Sequence, residues 1–277
     1  MQTGKVIVNY NDYESTFKLV ENIKKYKIIE KIVIVDNNSS EEEKEKLRTI
    51  KHRKVKIIEN DENKGYSYAI NVGAKYLVSL YGKCNIIVSN SDVIIKDEKH
   101  IKELLKTLFD KDVAVVSPVI FENGRLNRGW RLTSPKQDVL MMLPKVYKFF
   151  ESKFRYYKEE HYKDKTSIVD VVSGCFFFIK STVLEDIGYL DENVFLYYEE
   201  NILAHKLKEL GLKSVINNEV VIIHNHSVTI DKNIKRKNKL KVLRNSQFYY
   251  EEKYNNASKF ELFIMKLFSK FFIFFVK

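Results

Sequence analysis

Two rhythms of apolar and polar positions alternate along the first part of the chain. Short apolar runs with no amphipathic period occur at residues 5–9 (KVIVN), 31–36 (KIVIVD), 55–59 (VKIIE), 85–90 (NIIVSN) and 113–117 (VAVVS). Runs of that length and composition read as strands, and the unbroken triplet Ile86, Ile87 and Val88 suits a strand buried on both faces of a sheet. Between them lie stretches with helical spacing: residues 12–26, with Phe17, Val20 and Ile23 on one face, residues 40–50, opened by the capping-box pair Ser40 and Glu43, and residues 66–80. Strands alternating with helices of this size predict an α/β fold whose mostly parallel sheet is joined by right-handed crossovers.

The ends of the first four strands carry the first candidate chemistry. Asn9, Tyr10 and Asn11 follow the first, Asp36 ends the second, Asn63 and Gly65 lie in the loop after the third, and Asn90, Ser91 and Asp92 close the fourth. Open α/β sheets collect ligands beyond the carboxyl ends of their strands, so these clusters converge on one rim. Short amides and carboxylates suit the edges of a base and the hydroxyls of a ribose, and Gly65 lets backbone approach a ligand closely. Each cluster taken singly is also ordinary turn chemistry. The phosphate loops GxGxxG and GxxxxGK[ST] are absent. A nucleotide site that holds diphosphate through a metal and a carboxylate would need neither, and Asp92 is the first candidate for that carboxylate.

The second half changes character. A turn at Asn123 and Gly124 leads into Arg125, Arg128, Trp130 and Arg131, which could clamp a diphosphate or stack on a sugar, or be exposed cations beside a packed ring. Residues 136–165 are basic and aromatic, fitting an insertion that faces a membrane or acceptor, or a helical hairpin over the sheet. Residues 169–179 (VDVVSGCFFFI) read as two short strands around Gly174, where a missing side chain permits close approach of a substrate. Glu199 and Glu200 open a helix with Leu203, Leu207 and Leu210 on one face and Gly211 as its stop. A helix amino terminus stabilises carboxylates through its dipole and free N–H groups. A last strand, 220–223, ends at His224, Asn225, His226 and Ser227.

Composition narrows the partners. The 277 residues are 44% hydrophobic and 31% charged, which fits one large domain or a domain with an appendage. Cys84 and Cys175 are too few for a disulfide framework or a cysteine zinc site and suit a reducing compartment. A net charge of +11 and an isoelectric point near 9.3 imply an anionic partner: nucleic acid, an anionic membrane face or a phosphorylated substrate. No DNA or RNA module is recognisable, so nucleic acid is not expected. The start MQTGKVIVNY lacks the regions of a signal peptide, and a cytoplasmic location is expected. Lys232, Lys235, Arg236, Lys237, Lys239, Lys241 and Arg244 form a basic run before residues 260–277, whose Glu261, Lys266 and Lys270 make a poor spanning helix. Such a segment suits the interface of an anionic membrane, or packing on the domain or on a second copy in a homodimer.

The runs VIVNYN, IVIVDNNSS, NKGYSYAINVG and IIVSNSD resemble the nucleotide-binding half of the family 2 glycosyltransferases, which have the GT-A fold. The segment SGCFFFIKSTVLEDIGYLDENVFLYYEEN resembles their acceptor half, whose signature ends in Glu-Asp-x-Asp-Leu. The resemblance implies that Asp36 reads the base, that Asp92 binds the metal on the donor diphosphate, and that Asn9, Tyr10, Asn11, Asn63, Gly65, Asn90 and Ser91 contribute to the donor site. Asn90 stands at the first Asp of a DxD motif, and Asn90-Ser91-Asp92 is close to the Asn-Pro-Asp of a rhamnosyltransferase-like branch, with Ser91 in place of Pro. Glu199 matches the signature Glu, Glu200 the catalytic Asp and Leu203 the Leu, while Ile202 replaces the second Asp. His224 then completes the metal site with Asp92, and Trp130, Gly174 and Glu199 contact acceptor or sugar. By that resemblance the chain is an inverting transferase using Mn²⁺ or Mg²⁺. It would move a sugar, rhamnose by its branch, from a dTDP- or UDP-linked donor to a polysaccharide or lipid-linked acceptor at the inner membrane face. The expected division is a GT-A domain over 1–230, with halves 1–118 and 119–230, and a C-terminal extension over 231–277. Because Glu200 and Ile202 depart from the signature, a non-catalytic GT-A protein that binds membrane or a partner is the alternative.

Overall fold

A computed structural model describes residues 1–143, 146–225 and 236–275. His226, Ser227, Lys232 and Lys235 lie outside the described residues. The elements run β1 (Thr3–Asn9), α1 (Tyr13–Ile23), β2 (Lys31–Asp36), α2 (Glu41–Arg48), β3 (Val55–Glu59), α3 (Tyr66–Tyr81), β4 (Asn85–Asn90), β5 (Val93–Ile94), α4 (Glu98–Leu108), β6 (Val113–Glu122) and β7 (Arg125–Asn127). They continue with α5 (Pro135–Met141), α6 (Tyr147–Phe154), β8 (Thr166–Val169), β9 (Phe176–Lys180), α7 (Ser181–Asp186), α8 (Glu199–Glu209), β10 (Lys213–His224), α9 (Arg236–Lys253) and α10 (Lys259–Phe275).

One mixed sheet has the order β3-β2-β1-β4-β9-β6-β10-β5, with β7 paired to β6 and β8 to β10. The α/β class expected from the run pattern is the one observed. Alternate side chains of each strand enter opposite layers, as the two-residue period of a strand requires. Ile7, Ile32, Ile34 and Ile87 pack with the faces of α1 and α4, whereas Val6, Val33, Ile86 and Val88 pack with α3, α7 and α8.

Strands β1 to β4 pair in parallel, but β9 runs antiparallel to both β4 and β6. The beginning of β9 therefore meets the carboxyl ends of its neighbours. The amide of Asn90 donates to the carbonyl of Cys175 at 2.9 Å, which seats residues 173–175 on the rim already occupied by Asn90, Ser91 and Asp92.

The local readings differ from the structure at a few places. Phe17 is exposed and stacks on Tyr13, while Thr16, Leu19, Val20 and Ile23 form the buried face of α1. Only half of the capping box at α2 forms: Ser40 accepts from the amide of Glu43, but the Glu43 carboxylate takes the Tyr13 amide at 2.8 Å. Leu210 caps α8 and is exposed. Strand β6 continues through Pro118, because β10 shifts register opposite it, between Asn217 and Val221, and asks no N–H of the proline.

The C-terminal helices pack on the domain. Tyr250 of α9 joins Val194 and Ile202 in a buried cluster, and α10 lays Leu262 and Met265 against α5 and α9. Among the described residues no helix is long and apolar enough to cross a membrane.

Candidate active site

A cavity of about 420 Å³ opens at the carboxyl ends of the central strands. Tyr10 from the end of β1, Asn63 and Gly65 from the β3–α3 loop, and Asn90, Ser91 and Asp92 from the end of β4 form one side. Trp130, Gly174, Glu199, Glu200 and His224 form the other. Eleven of the fourteen expected site residues thus meet in one cleft. Asn9, Asn11 and Asp36 lie behind its wall.

Asp36 is fully buried, and both of its oxygens are engaged. Asn9 donates to Oδ1 at 2.8 Å, and Ser39 donates its hydroxyl to Oδ1 at 2.5 Å and its amide to Oδ2 at 3.0 Å. Asn11, at φ +49°, accepts from the Ser40 amide at 2.8 Å. These three residues join the first two strand ends. In front of them Asn37 lines the cavity and donates to Asn63 at 2.8 Å and to the carbonyl of Gly65 at 3.0 Å.

Gly65 caps the start of α3 at φ +99°, a conformation glycine tolerates without strain. A β-carbon there would collide with the backbone of Phe195. The contact is tight because the Tyr66 amide donates to the Phe195 carbonyl at 2.9 Å. The Tyr66 hydroxyl then donates to Asn90 Oδ1 at 2.6 Å, fixing the amide that begins the Asn90-Ser91-Asp92 turn.

Strand pairing delivers His224 to that turn. The end of β10 pairs with β5, His224 opposite Val93, and the Asn225 amide donates to the Asp92 carbonyl at 3.0 Å. Its Nε2 lies 3.1 Å from Asp92 Oδ1 and its Nδ1 lies 3.0 Å from Glu122 Oε2. Burial opposes the charged ring, but the Asp92, Cys175 and Glu122 groups around it prevail and push its pKa up to about 12. Asp92 Oδ1 is buried and has no hydrogen bond of good geometry, so its approach to Nε2 is a charge contact.

These donors fit a divalent cation. An inward carboxylate oxygen beside an imidazole nitrogen offers the ligand types that suit Mn²⁺, and a carboxylate on the far ring nitrogen is the usual support of a metal-binding histidine. Among the described residues no cluster of three or more His, Cys, Asp or Glu could hold a metal. Two protein ligands are sufficient where phosphate and water oxygens complete the shell.

The two glutamates open α8. Tyr197 and Tyr198 precede them with φ of +70° and +69°, two left-handed non-glycine residues in a row that aim the first turn into the cleft. Each such residue costs on the order of 1–3 kcal/mol and is held by its surroundings. Here a buried Tyr250 and the Ser246 hydroxyl, which donates to the Leu196 carbonyl at 2.7 Å, hold the strap. Glu200 Oε1 accepts from the Gly174 amide at 3.1 Å. Burial raises the Glu200 pKa against the bonds it accepts from backbone amides, and burial together with Glu200 itself raises that of Glu199 well above the ordinary value.

Trp130 stands beside them on the isolated bridge to Val171, with the Arg155 guanidinium 5.3 Å from the centre of its ring. Two contributors escaped the sequence reading: Glu122 lies beyond Pro118, where the strand seemed to end, and Tyr66 looked like the first residue of an ordinary helix. Asn37 belongs to the polar cluster after the second strand, without a role of its own in the sequence reading. Only Glu122 carried a usable signal, an acid just before the Asn123-Gly124 turn.

A mostly parallel sheet flanked by helices, with an acid, a histidine and a glutamate pair around one cleft at its carboxyl rim, defines a sugar-transferring enzyme of the GT-A type. The family model described as "Glycosyl transferase family 2" matches residues 6–188, and the chain belongs to that family and is a glycosyltransferase. A curated relative, the low-salt glycan biosynthesis hexosyltransferase Agl10 of Haloferax volcanii, is 28% identical over 226 residues, covering 80% of this chain and 67% of its own length. The mannosyltransferase PcManGT of Pyrobaculum calidifontis, solved with GDP-Man and Mn²⁺, superposes with a TM-score of 0.61 at 15% identity, over 99% of this chain and 70% of that one. GalNAc-T7, solved with UDP, GalNAc and Mn²⁺, gives 0.62 at 14% identity, over 100% of this chain and 56% of its own. At such identities the two structures speak for the fold alone.

Proposed function

We propose that the enzyme transfers a sugar from a nucleoside-diphosphate donor with inversion, Glu200 acting as the general base. The observation that supports this is the shared cleft, which has Asp92 and His224 on one wall and Glu199 and Glu200 on the other. Tyr10, Asn63, Gly65, Asn90 and Ser91 line the donor side. Asn9, Asn11 and Asp36 brace it from behind, and direct contact between Asp36 and the base would require its bonds to Ser39 to open.

Asp92 and His224 would hold a divalent cation, Mn²⁺ or Mg²⁺, with Glu122 orienting the imidazole. When bound, that ion neutralises charge on the departing diphosphate. Trp130 offers a face for the sugar or acceptor. Glu200 takes the proton from the acceptor hydroxyl as its oxygen bonds to the anomeric carbon and the bond to the diphosphate breaks. A raised pKa makes the Glu200 carboxylate a stronger base than an exposed one. Burial, with a smaller push from the Glu122 carboxylate, keeps that pKa high.

The finer specificity belongs to the same proposal. The Asn90-Ser91-Asp92 motif favours a rhamnose donor on dTDP or UDP. The acceptor is a surface polysaccharide or lipid-linked glycan, reached at the inner face of the membrane. The donor half ends near 118 and the acceptor half near 230.

Glu200→Gln is the decisive test, because it keeps the shape and removes the base. Transfer should fall by about 10²–10⁴-fold while donor-induced thermal stabilisation with Mn²⁺ persists. Equal transfer by both proteins would remove Glu200 from the mechanism and leave the non-catalytic alternative standing if neither turned over.

A further inference from the structure

A second cavity, of about 410 Å³, lies away from the catalytic cleft, between α9 and α10. Its cations come from both walls: Lys241 and Arg244 from α9, Lys266 and Lys270 from α10. No acidic residue is among those that line it. Arg244 spends one guanidinium nitrogen on Gln247, its Nε is buried without a partner, and burial holds its pKa below the ordinary value. Lys266 stands 5.9 Å over the ring of Phe248.

The rest of the groove is hydrocarbon, chiefly Phe248, Phe263 and Leu267. It opens onto a stripe on the outer face of α10, where Phe260, Phe263, Leu267 and Phe271 are 70%, 63%, 55% and 57% exposed. Their spacing of three and four residues puts them on one side of the helix, over roughly 16 Å of its length. Leu262 and Met265, on the other side, are buried. Helix α10 therefore has two apolar faces, and the domain covers only one.

Each simple occupant uses half of this surface. A free phosphate would engage the cations and leave the aromatic stripe in water. An apolar partner helix would cover the stripe and bury Lys241, Lys266 and Lys270 without supplying a counter-charge, which is costly. A lipid with a phosphate headgroup uses both. We propose that the α9–α10 groove binds the phosphate headgroup of an anionic membrane lipid while the outer stripe of α10 lies in the acyl boundary. The inference deepens the functional proposal and rests on it, since a lipid-linked acceptor is met at a membrane face; α9 also supports the catalytic strap through Ser246 and Leu196.

The test is co-sedimentation of the full chain with vesicles of phosphatidylcholine alone and of phosphatidylcholine mixed with phosphatidylglycerol. The wild type should sediment with the mixed vesicles only. The triple variant K241E/K266E/K270E, all at exposed lysines, should lose about tenfold or more in partition, and F263S/L267S should lose a comparable amount. K83E, reversing an exposed lysine before β4, should bind as the wild type does. Equal sedimentation of triple variant and wild type would overturn the proposal, as would full release by inorganic phosphate at matched ionic strength or a single-stranded oligonucleotide held by the same lysines. K270E alone carries the same test if the triple variant folds poorly. Donor-induced thermal stabilisation should be unchanged in every variant. A wild type that binds donor but neither kind of vesicle sinks the groove alone, whereas a wild type without donor-induced stabilisation would sink the functional proposal.

Discussion

Gly174 and Glu200 constrain each other closely in the cleft. A β-carbon on Gly174 would stand 2.6 Å from Glu200 Oε1, and the amide that orients this carboxylate belongs to the same glycine. Gly174→Ala should therefore displace the carboxylate without straining the backbone. We expect kcat to fall by roughly 10²-fold, the penalty of a misplaced catalytic group, with the melting temperature and the donor KM nearly unchanged. Steady-state kinetics and thermal unfolding read this directly, and an unaltered kcat would detach Gly174 from the site. Both residues could be found in the sequence, one as a glycine inside an aliphatic run and the other as an acid at a helix start. Ile202 is a different case. Its apolar side chain packs with Val194 and Tyr250, so its departure from the family signature is explained by the packing of α9. No pattern local to α8 could reveal that, because the partner lies some fifty residues further on.

Among the elements, those with continuous aliphatic runs were legible and those that bury polar groups were not. Strand β10 begins at Lys213, seven residues before the apolar run that announced it, because its buried Asn217 is satisfied by donating to Thr107 at 3.0 Å. Polar residues also carry the junction between α5 and α9, where Asp138 and Glu251 are buried together. Burial and the nearby Asp138 raise the pKa of Glu251 to about 9, and burial raises that of Asp138. A carboxyl group whose folded pKa lies above its unfolded value stabilises most fully below the unfolded value and loses that contribution as pH rises through the folded one. Stability should accordingly fall between about pH 4.5 and 9, where Glu251 is ionised in the unfolded chain and still protonated in the folded one. Glu251→Gln stays neutral over that window. Its melting temperature should match the wild type near the acid end and exceed it at the alkaline end, by roughly 2–4 °C for each kcal/mol recovered. Parallel pH profiles for the two proteins would show that the pair does not share its proton.

For the molecule as a whole the open question is whether residues 231–277 are an appendage, as composition suggested, or part of the catalytic domain. Charge and aromatic content single this segment out, yet they say nothing of what its inner face touches. Helix α9 closes the cluster of Val194, Ile202 and Tyr250 and bonds the Leu196 carbonyl, while Met265 of α10 is fully buried. Each apolar side chain of that kind contributes about 1.5–3 kcal/mol when fully buried. A chain ending at residue 235 should therefore melt at a lower temperature. Its first injury should be local, because the two left-handed tyrosines before Glu199 would lose the packing that holds them. The nucleotide side of the cleft stands on β1 to β4, whose pairing does not involve α9 or α10. The truncated protein should thus keep donor-dependent thermal stabilisation and lose sugar transfer. An appendage would give the opposite pattern, full transfer with lost vesicle binding, because strap and cleft would then be held without α9.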